Sequence, residues 1–201
     1  AVAVGDEWVI NGMKRFNSGL NHATHDIIFA RTSGDPGSPV GISAFLVPTD
    51  APGFNVDFFW WTFNMPTDHA EVSMTDVRVG KDALFGRLDN GLELAQLFVH
   101  ENRIRQAASS LGAAQYCIDT AVAYSNERIT WGKRLSTNQG IQFPLVELHT
   151  EAAMLRQLIR STAAALDAHH HMEVTHLVAM CNYHANRMAC DAAVRAMQQW
   201  R

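Results

Sequence analysis

The run Glu127-Arg128-Ile129-Thr130-Trp131-Gly132-Lys133 carries the most specific chemistry in the chain. A guanidinium beside an aromatic ring, a glycine and free backbone N–H groups is a good partner for a pyrophosphate. The same pattern suits a helix C-terminus, with a basic residue near the last turn and glycine beyond it. Pattern alone leaves the two readings level. The aromatic run Phe58-Phe59-Trp60-Trp61 makes either a strand packed on both faces or covered by a neighbouring domain, or a hydrophobic wall for a ligand, and its apolar area favours packing. His169, His170 and His171 are adjacent and point in different directions, so they read as a solvated helix end or loop and not as an ion's ligand shell. His22 and His25 have the spacing of a ligand pair, but no nearby carboxylate or cysteine completes a shell, and no metal is expected. No nucleophile-elbow, phosphate-loop or dinucleotide-binding glycine motif is present.

Composition narrows the partners. The 201 residues are 47% hydrophobic and 18% charged, which is globular composition. Sixteen Lys and Arg against 20 Asp and Glu give a formal charge of -4, so nucleic acid is not an expected partner. No apolar stretch reaches the ~20 residues of a membrane span. The first residues lack the basic start and apolar region of a signal peptide. Cys117, Cys181 and Cys190 lie in helix-like sequence without a CxxC pair, which suits buried thiols in the cytosol or an organelle matrix. Residue 1 is not Met and Trp200-Arg201 fall inside a helical pattern, so the sequence reads as a piece of a longer protein.

These residues must be positioned by two kinds of structure. Residues 1–86 hold five of the six prolines and most of the phenylalanines, and residues 87–201 are rich in Ala, Leu, Gln and His. The expected fold is α+β: an antiparallel β-barrel or sandwich domain over 1–86, then a partial antiparallel helical bundle over 87–201. Asn11-Gly12 after Glu7-Trp8-Val9-Ile10 reads as a two-residue hairpin turn, with 14–17 as the returning strand. Strands are expected at 27–31, 42–47, 71–74 and 77–79, with a turn at Thr75-Asp76. A first helix carries Leu94, Leu97, Phe98, Ile104, Ala108, Leu111, Gln115, Ile118 and Val122, and breaks at Trp131-Gly132. A second carries Leu148, Ala152, Leu155, Ile159 and Leu166, with Pro144 at its start or in its first turn. A third runs from about Met172 through Leu177, Cys181, Met188 and Ala192 to the end.

Taken in order, several stretches resemble the acyl-CoA dehydrogenase family. The middle domain is matched by Gly5-Asp6-Glu7-Trp8-Val9-Ile10-Asn11-Gly12-Met13-Lys14, Phe16-Asn17-Ser18-Gly19, Gly41-Ile42-Ser43-Ala44-Phe45-Leu46-Val47, Glu71-Val72 and Asp76-Val77-Arg78-Val79. The C-terminal helical domain is matched by Arg103-Ile104, Leu111-Gly112-Ala113-Ala114, Glu127-Arg128, Trp131-Gly132-Lys133 and Asn138-Gln139-Gly140-Ile141-Gln142-Phe143. The resemblance implies FAD, an acyl-CoA thioester substrate and a homodimer or homotetramer. It implies α,β-dehydrogenation, with hydride passing to FAD. It sets Phe16 and Ser18 against the flavin, where the family has a Trp-x-Thr/Ser pattern and here keeps the stacking surface without the indole donor. Arg128, with Trp131, matches the contact to the FAD pyrophosphate of a neighbouring subunit. Gln139 and Gln198 match further cofactor contacts, and Arg103 matches an arginine near the acyl-CoA. The family's base is not matched: Asn102 stands where a minority carry Glu, and Glu101 is rotated by ~100° on a helix. The resemblance leaves the N-terminal helical domain and the end of the bundle unmatched, so the apolar faces around Leu155, Leu177 and Met188 are expected to be exposed. A flavin oxidase or N-oxygenase on the same fold, or a non-catalytic scaffold subunit, are the alternatives.

Overall fold

A computed structural model of the chain describes residues 1–62 and 65–199. The expected continuation of the last helix through Trp200-Arg201 lies outside the described residues. The chain divides into two compact units, Ala1–Gln96 and Leu97–Arg201.

The first unit contains β1 (Val2–Val4), β2 (Glu7–Ser18), β3 (His25–Arg31), β4 (Ile42–Pro48), β5 (Phe54–Thr62), β6 (Met65–Gly80) and β7 (Leu84–Phe85). All ladders are antiparallel, forming one sheet in the order β1-β2-β6-β5 and another in the order β3-β4-β7. Ile10, Phe54, Val72 and Val77 of the first sheet share one buried cluster with Ile28, Phe45 and Val47 of the second. The expected barrel or sandwich is thus two packed sheets.

The hairpin turn is not at Asn11-Gly12. Gly5-Asp6 links β1 to β2, with Val4 opposite Glu7 and Gly5 at φ +61°. Asn11 lies inside β2, where its Nδ2 donates to Asp76 Oδ1 (3.0 Å) and its Oδ1 accepts from the Asp76 N–H (2.8 Å). A residue suited to turns is therefore satisfied within a strand, beside a break in register between Ile10 and Gly12. Thr75-Asp76 likewise form no chain reversal; they are the irregularity on continuous β6.

A second irregularity decides which residues of β2 face the core. Lys14 pairs with Val72 and Asn17 with Ala70, so Arg15 and Phe16 together oppose the single residue Glu71. One extra residue inverts the alternation beyond it. In unbroken register Phe16 would oppose Ala70, which is fully buried. Instead Asn17 turns inward and its amide bonds the Asp26 carboxylate, both residues being 8% exposed. Lys14 Nζ lies 3.4 Å from Asp26 Oδ1, so the buried carboxylate has a countercharge as well as a donor. Phe16 and Ser18 are left on the opposite face, and both are exposed. β5 carries its own extra residue, Asp57, at the same level: Val56 opposes Val72 and Phe58 opposes Glu71.

The second unit is built on α1 (Gly91–Glu127), α2 (Gln139–Ala168) and α3 (Thr175–Gln199), α1 beginning in the first unit. A small hairpin, β8 (Ile129–Thr130) and β9 (Lys133–Arg134), separates α1 from α2. The buried seam of α1 is Ala107, Leu111, Ala114, Ile118, Ala121 and Ser125, at alternating spacings of four and three. Leu145, Leu148, Ala152, Leu155, Ile159 and Thr162 repeat that rhythm on α2, as do Val178, Cys181, Ala185, Met188 and Ala192 on α3. This is the spacing of knobs-into-holes packing, and the alanines permit close approach. Contacts rise together along α1 and α3 (Ser110 to Asn186, Ser125 to Gln199) and oppose along α1 and α2 (Gln115 to Arg156, Ile118 near Leu145), an up-down-up arrangement.

Three expectations about the helices change. Leu155 and Met188 are each 1% exposed and lie in the seam, and Leu177 is half-buried; the apolar residues left on the surface of α2 and α3 are others, such as Val146, Met154, Met180 and Val194. Leu97, Phe98 and Val122 of α1 are exposed, lying off a seam in which every second residue is alanine. α2 starts five residues before Pro144, where Asn138 accepts the Gly140 N–H at 2.8 Å.

A histidine pair also sits within the helical unit. His100 of α1 is 1% exposed, and its Nδ1 is 3.1 Å from Nδ1 of His171, in the link before α3. His169 caps α2 and is exposed, so of the three adjacent histidines only His171 turns toward the interior. Burial first, then His171 and the Arg103 guanidinium, hold the His100 pKa below its ordinary value of 6.5. The unfolded chain therefore takes up a proton that the folded chain refuses. The stability tied to neutral His100 is complete above about pH 6.5 and falls as pH drops toward the depressed folded value, by up to about 1.4 kcal/mol per pH unit. Denaturant titrations across this range should give a shallower slope for His100→Gln than for the unsubstituted chain; equal slopes would contradict a buried neutral His100.

Candidate functional site

Phe16 is 57% exposed and its ring centroid lies 5.4 Å from that of Trp60, which in turn lies 4.7 Å from Phe58. These three rings form a shelf on the face of the β1-β2-β6-β5 sheet turned away from its core. Within this chain the aromatic run of β5 is not packed on both sides: Phe58 is 44% and Trp61 82% exposed. Trp60 Nε1 is buried and has no hydrogen-bond partner among the described residues. Ser18 is exposed beside the shelf, its Oγ 2.7 Å from His69 Nδ1. His69 opposes Ser18 on one side and Trp60 on the other. Below it on β6, Glu71 is paired with Arg15 (Nε to Oε2, 3.1 Å). An exposed apolar aromatic shelf with a hydroxyl at its edge fits a flat heteroaromatic ring with ring nitrogens at its rim.

The second cluster lies on the β8-β9 hairpin. α1 ends at Glu127, and the Arg128 N–H continues its pattern by donating to Tyr124 O (2.9 Å). The Arg128 guanidinium donates to the Tyr124 hydroxyl (2.6 Å) and lies 5.7 Å over that ring. Leu135 N–H to Arg128 O (2.8 Å) closes the base of the hairpin. Trp131-Gly132 is its two-residue turn, with φ +55° and +76°. Gly132 is therefore a hairpin residue and not the helix cap of the alternative reading. Such a turn favours Asn-Gly; a tryptophan there is conformationally costly, and Trp131 is fully exposed.

Phe16 stands in the same left-handed region at φ +57°. Among the described residues, four non-glycines have positive φ: Phe16, Trp131, Asp76 and Asp89. Aspartate tolerates this conformation, and a bulky aromatic does not. Two exposed aromatics held in costly backbone geometry, without burial in return, mark places where something other than folding selects the residue.

The remaining candidates fall at separate places. Gln139 is exposed at the first position of α2, a few residues beyond the hairpin. Gln198 is exposed near the end of α3; its neighbour Gln199 is buried and accepts from Ser125 Oγ (2.8 Å). Arg103 is half-buried on α1, about 36 Å of helix before the hairpin, so it does not share a site with Arg128 along that helix. Glu101 is exposed and faces Arg105 at 3.8 Å. The sequence singled out neither His69 nor Asn17; both acquire their positions from the bulge, and a strand pattern read as strict alternation hides it.

Residues 1–77 match the acyl-CoA dehydrogenase middle domain, and residues 89–200 match the acyl-CoA dehydrogenase C-terminal domain. Acyl-CoA dehydrogenase FadE12 of Mycobacterium tuberculosis is 31% identical over 198 residues, covering 96% of this chain and 50% of the relative. An acryloyl-CoA reductase (NADH) of Anaerotignum propionicum is 33% identical over 194 residues, covering 96% and 48%. The solved butyryl-CoA dehydrogenase of Megasphaera elsdenii superposes with a TM-score of 0.88 at 27% identity, covering 99% of this chain and 52% of that one. The chain spans about half the length of the curated relatives it matches. No described helix is long and apolar enough to cross a membrane. With both domain matches in chain order and the same fold in a solved relative, the chain belongs to the acyl-CoA dehydrogenase family, a family of flavoprotein oxidoreductases.

Proposed function

We propose that this chain supplies the flavin-facing wall and a phosphate-holding hairpin of an FAD-dependent enzyme that removes hydrogen from the α and β carbons of an acyl-CoA thioester. The observation that carries the proposal is the β2 bulge. It sets Phe16 and Ser18 side by side on an aromatic face that the core does not use. When bound, FAD accepts the hydride that leaves the β carbon. Phe16, backed by Trp60 and Phe58, offers the ring system an apolar surface. Ser18 donates its hydroxyl proton to a ring nitrogen. Arg128 holds a phosphate by charge-assisted hydrogen bonds, steadied on the Tyr124 ring, and Trp131 and Gln139 are further contacts to the cofactor. We assign this hairpin to the FAD of a second copy of the chain, so the working unit is a homodimer or a dimer of dimers. Gln198 is a further contact to that cofactor. Arg103 lies toward the acyl-CoA, and no residue of the chain is assigned as the base.

The experiment uses the protein expressed from its native reading frame. Ser18→Ala should shift the flavin absorption spectrum and slow flavin reduction by acyl-CoA. Arg128→Ala should weaken FAD retention by roughly ten- to a hundredfold, the scale of one charge-assisted bond, with Arg128→Lys recovering part of it. An unaltered spectrum together with unaltered retention would remove the basis of the proposal.

Trp131 gives a test with opposite signs. Trp131→Asn relieves the left-handed strain and should raise unfolding stability by about 0.5–1 kcal/mol. The same change should weaken FAD retention. Lower stability in Trp131→Asn would show that the ring is there for folding.

A further inference from the structure

Ser18 Oγ and His69 Nδ1 are 2.7 Å apart, within the range of a well-formed hydrogen bond. The two residues are direct partners across β2 and β6, so the backbone ladder fixes the contact. Trp60 occupies the equivalent position on β5 and walls the other side of His69. A serine hydroxyl has one proton to donate. If Ser18 gives it to Nδ1, none is left for a flavin nitrogen. If His69 carries a proton on Nδ1, it donates to Ser18 Oγ, and the serine proton is free to point along the shelf.

The nearby charges are already engaged. Asp68 Oδ1 accepts the Gly19 N–H at 2.9 Å, and Glu71, two residues along β6, is paired with Arg15 at 3.1 Å. Among the described residues, neither carboxylate bonds the imidazole. On the reading of the site proposed above, on which this inference rests, we infer that His69 is a positioning residue: it donates through Nδ1–H to Ser18 Oγ and thereby directs the Ser18 proton toward the flavin. The serine and the histidine act as a relay of orientation and not of net charge, since no proton leaves either residue.

The test compares variants in the protein expressed from its native reading frame. Nitrogen-15 NMR of histidine-labelled protein at neutral pH should show His69 protonated at Nδ1. His69→Leu should reproduce the flavin spectral shift of Ser18→Ala and slow reduction by about tenfold, the effect of one lost hydrogen bond. His69→Asn, which places an amide donor near the position of Nδ1, should recover most of the native spectrum and rate. Ser18→Ala with His69→Leu should be no worse than Ser18→Ala alone, because both remove one interaction. A His69 Nδ1 that is unprotonated, or a His69→Leu spectrum equal to the native one while Ser18→Ala shifts it, overturns this inference and leaves the flavin reading standing. A Ser18→Ala spectrum equal to the native one overturns both.

Discussion

One extra residue in β2 decides what this chain can do. Arg15 and Phe16 share the space opposite Glu71, and the inside-outside alternation of the strand reverses after them. The reversal is held from both sides. Asn17, turned inward, is bonded to the buried Asp26 carboxylate, which Lys14 also faces, and Arg15 is paired with Glu71 on the other face. Returning to regular register would strip Asp26 of its amide donor and drive the Phe16 ring into the space occupied around Ala70. Both are costly changes in a close-packed interior. The exposed pair of Phe16 and Ser18 is therefore tied to the core's own hydrogen bonding.

The same logic extends to β5, whose extra residue lies at the level of Glu71 and brings Phe58 and Trp60 onto the face with Phe16. Two bulges flanking one residue of the central strand build an aromatic shelf where regular strands would have alternated polar and apolar side chains. The helical unit solves a different problem. Its seam uses alanine at close contacts and needs no unusual backbone, so strain is confined to the hairpin turn at Trp131-Gly132. The two costly aromatic positions, one in each unit, coincide with the positions at which the family resemblance sets cofactor contacts.

Much of this was legible in the sequence, and the failures have physical causes. The β-rich and helical halves and the family are carried by composition, spacing and motif order, whereas the first helix, expected to break at Trp131-Gly132, ends at Glu127 because the β8-β9 hairpin follows it. Asn11-Gly12 has the pattern of a turn and is none, because turn propensity is local and the partner that holds Asn11 in a strand, Asp76, is distant in sequence. Gly5-Asp6, one strand earlier, is the turn. The face of α1 is only partly legible, because apolar side chains also occupy its surface and small ones its seam. Asn17 and His69 stayed invisible because a bulge leaves no mark in the hydrophobic pattern except a break in alternation. His100 and His171 meet only through the fold, 71 residues apart.

The central claim is that the face carrying Phe16, Ser18 and Trp60 is a flavin wall. A crystal structure of the protein expressed from its native reading frame, grown with FAD, tests it most directly. The account predicts the flavin ring against Phe16, with Ser18 Oγ within hydrogen-bond distance of a ring nitrogen. Protein packed over that face, with the flavin bound elsewhere, would contradict it.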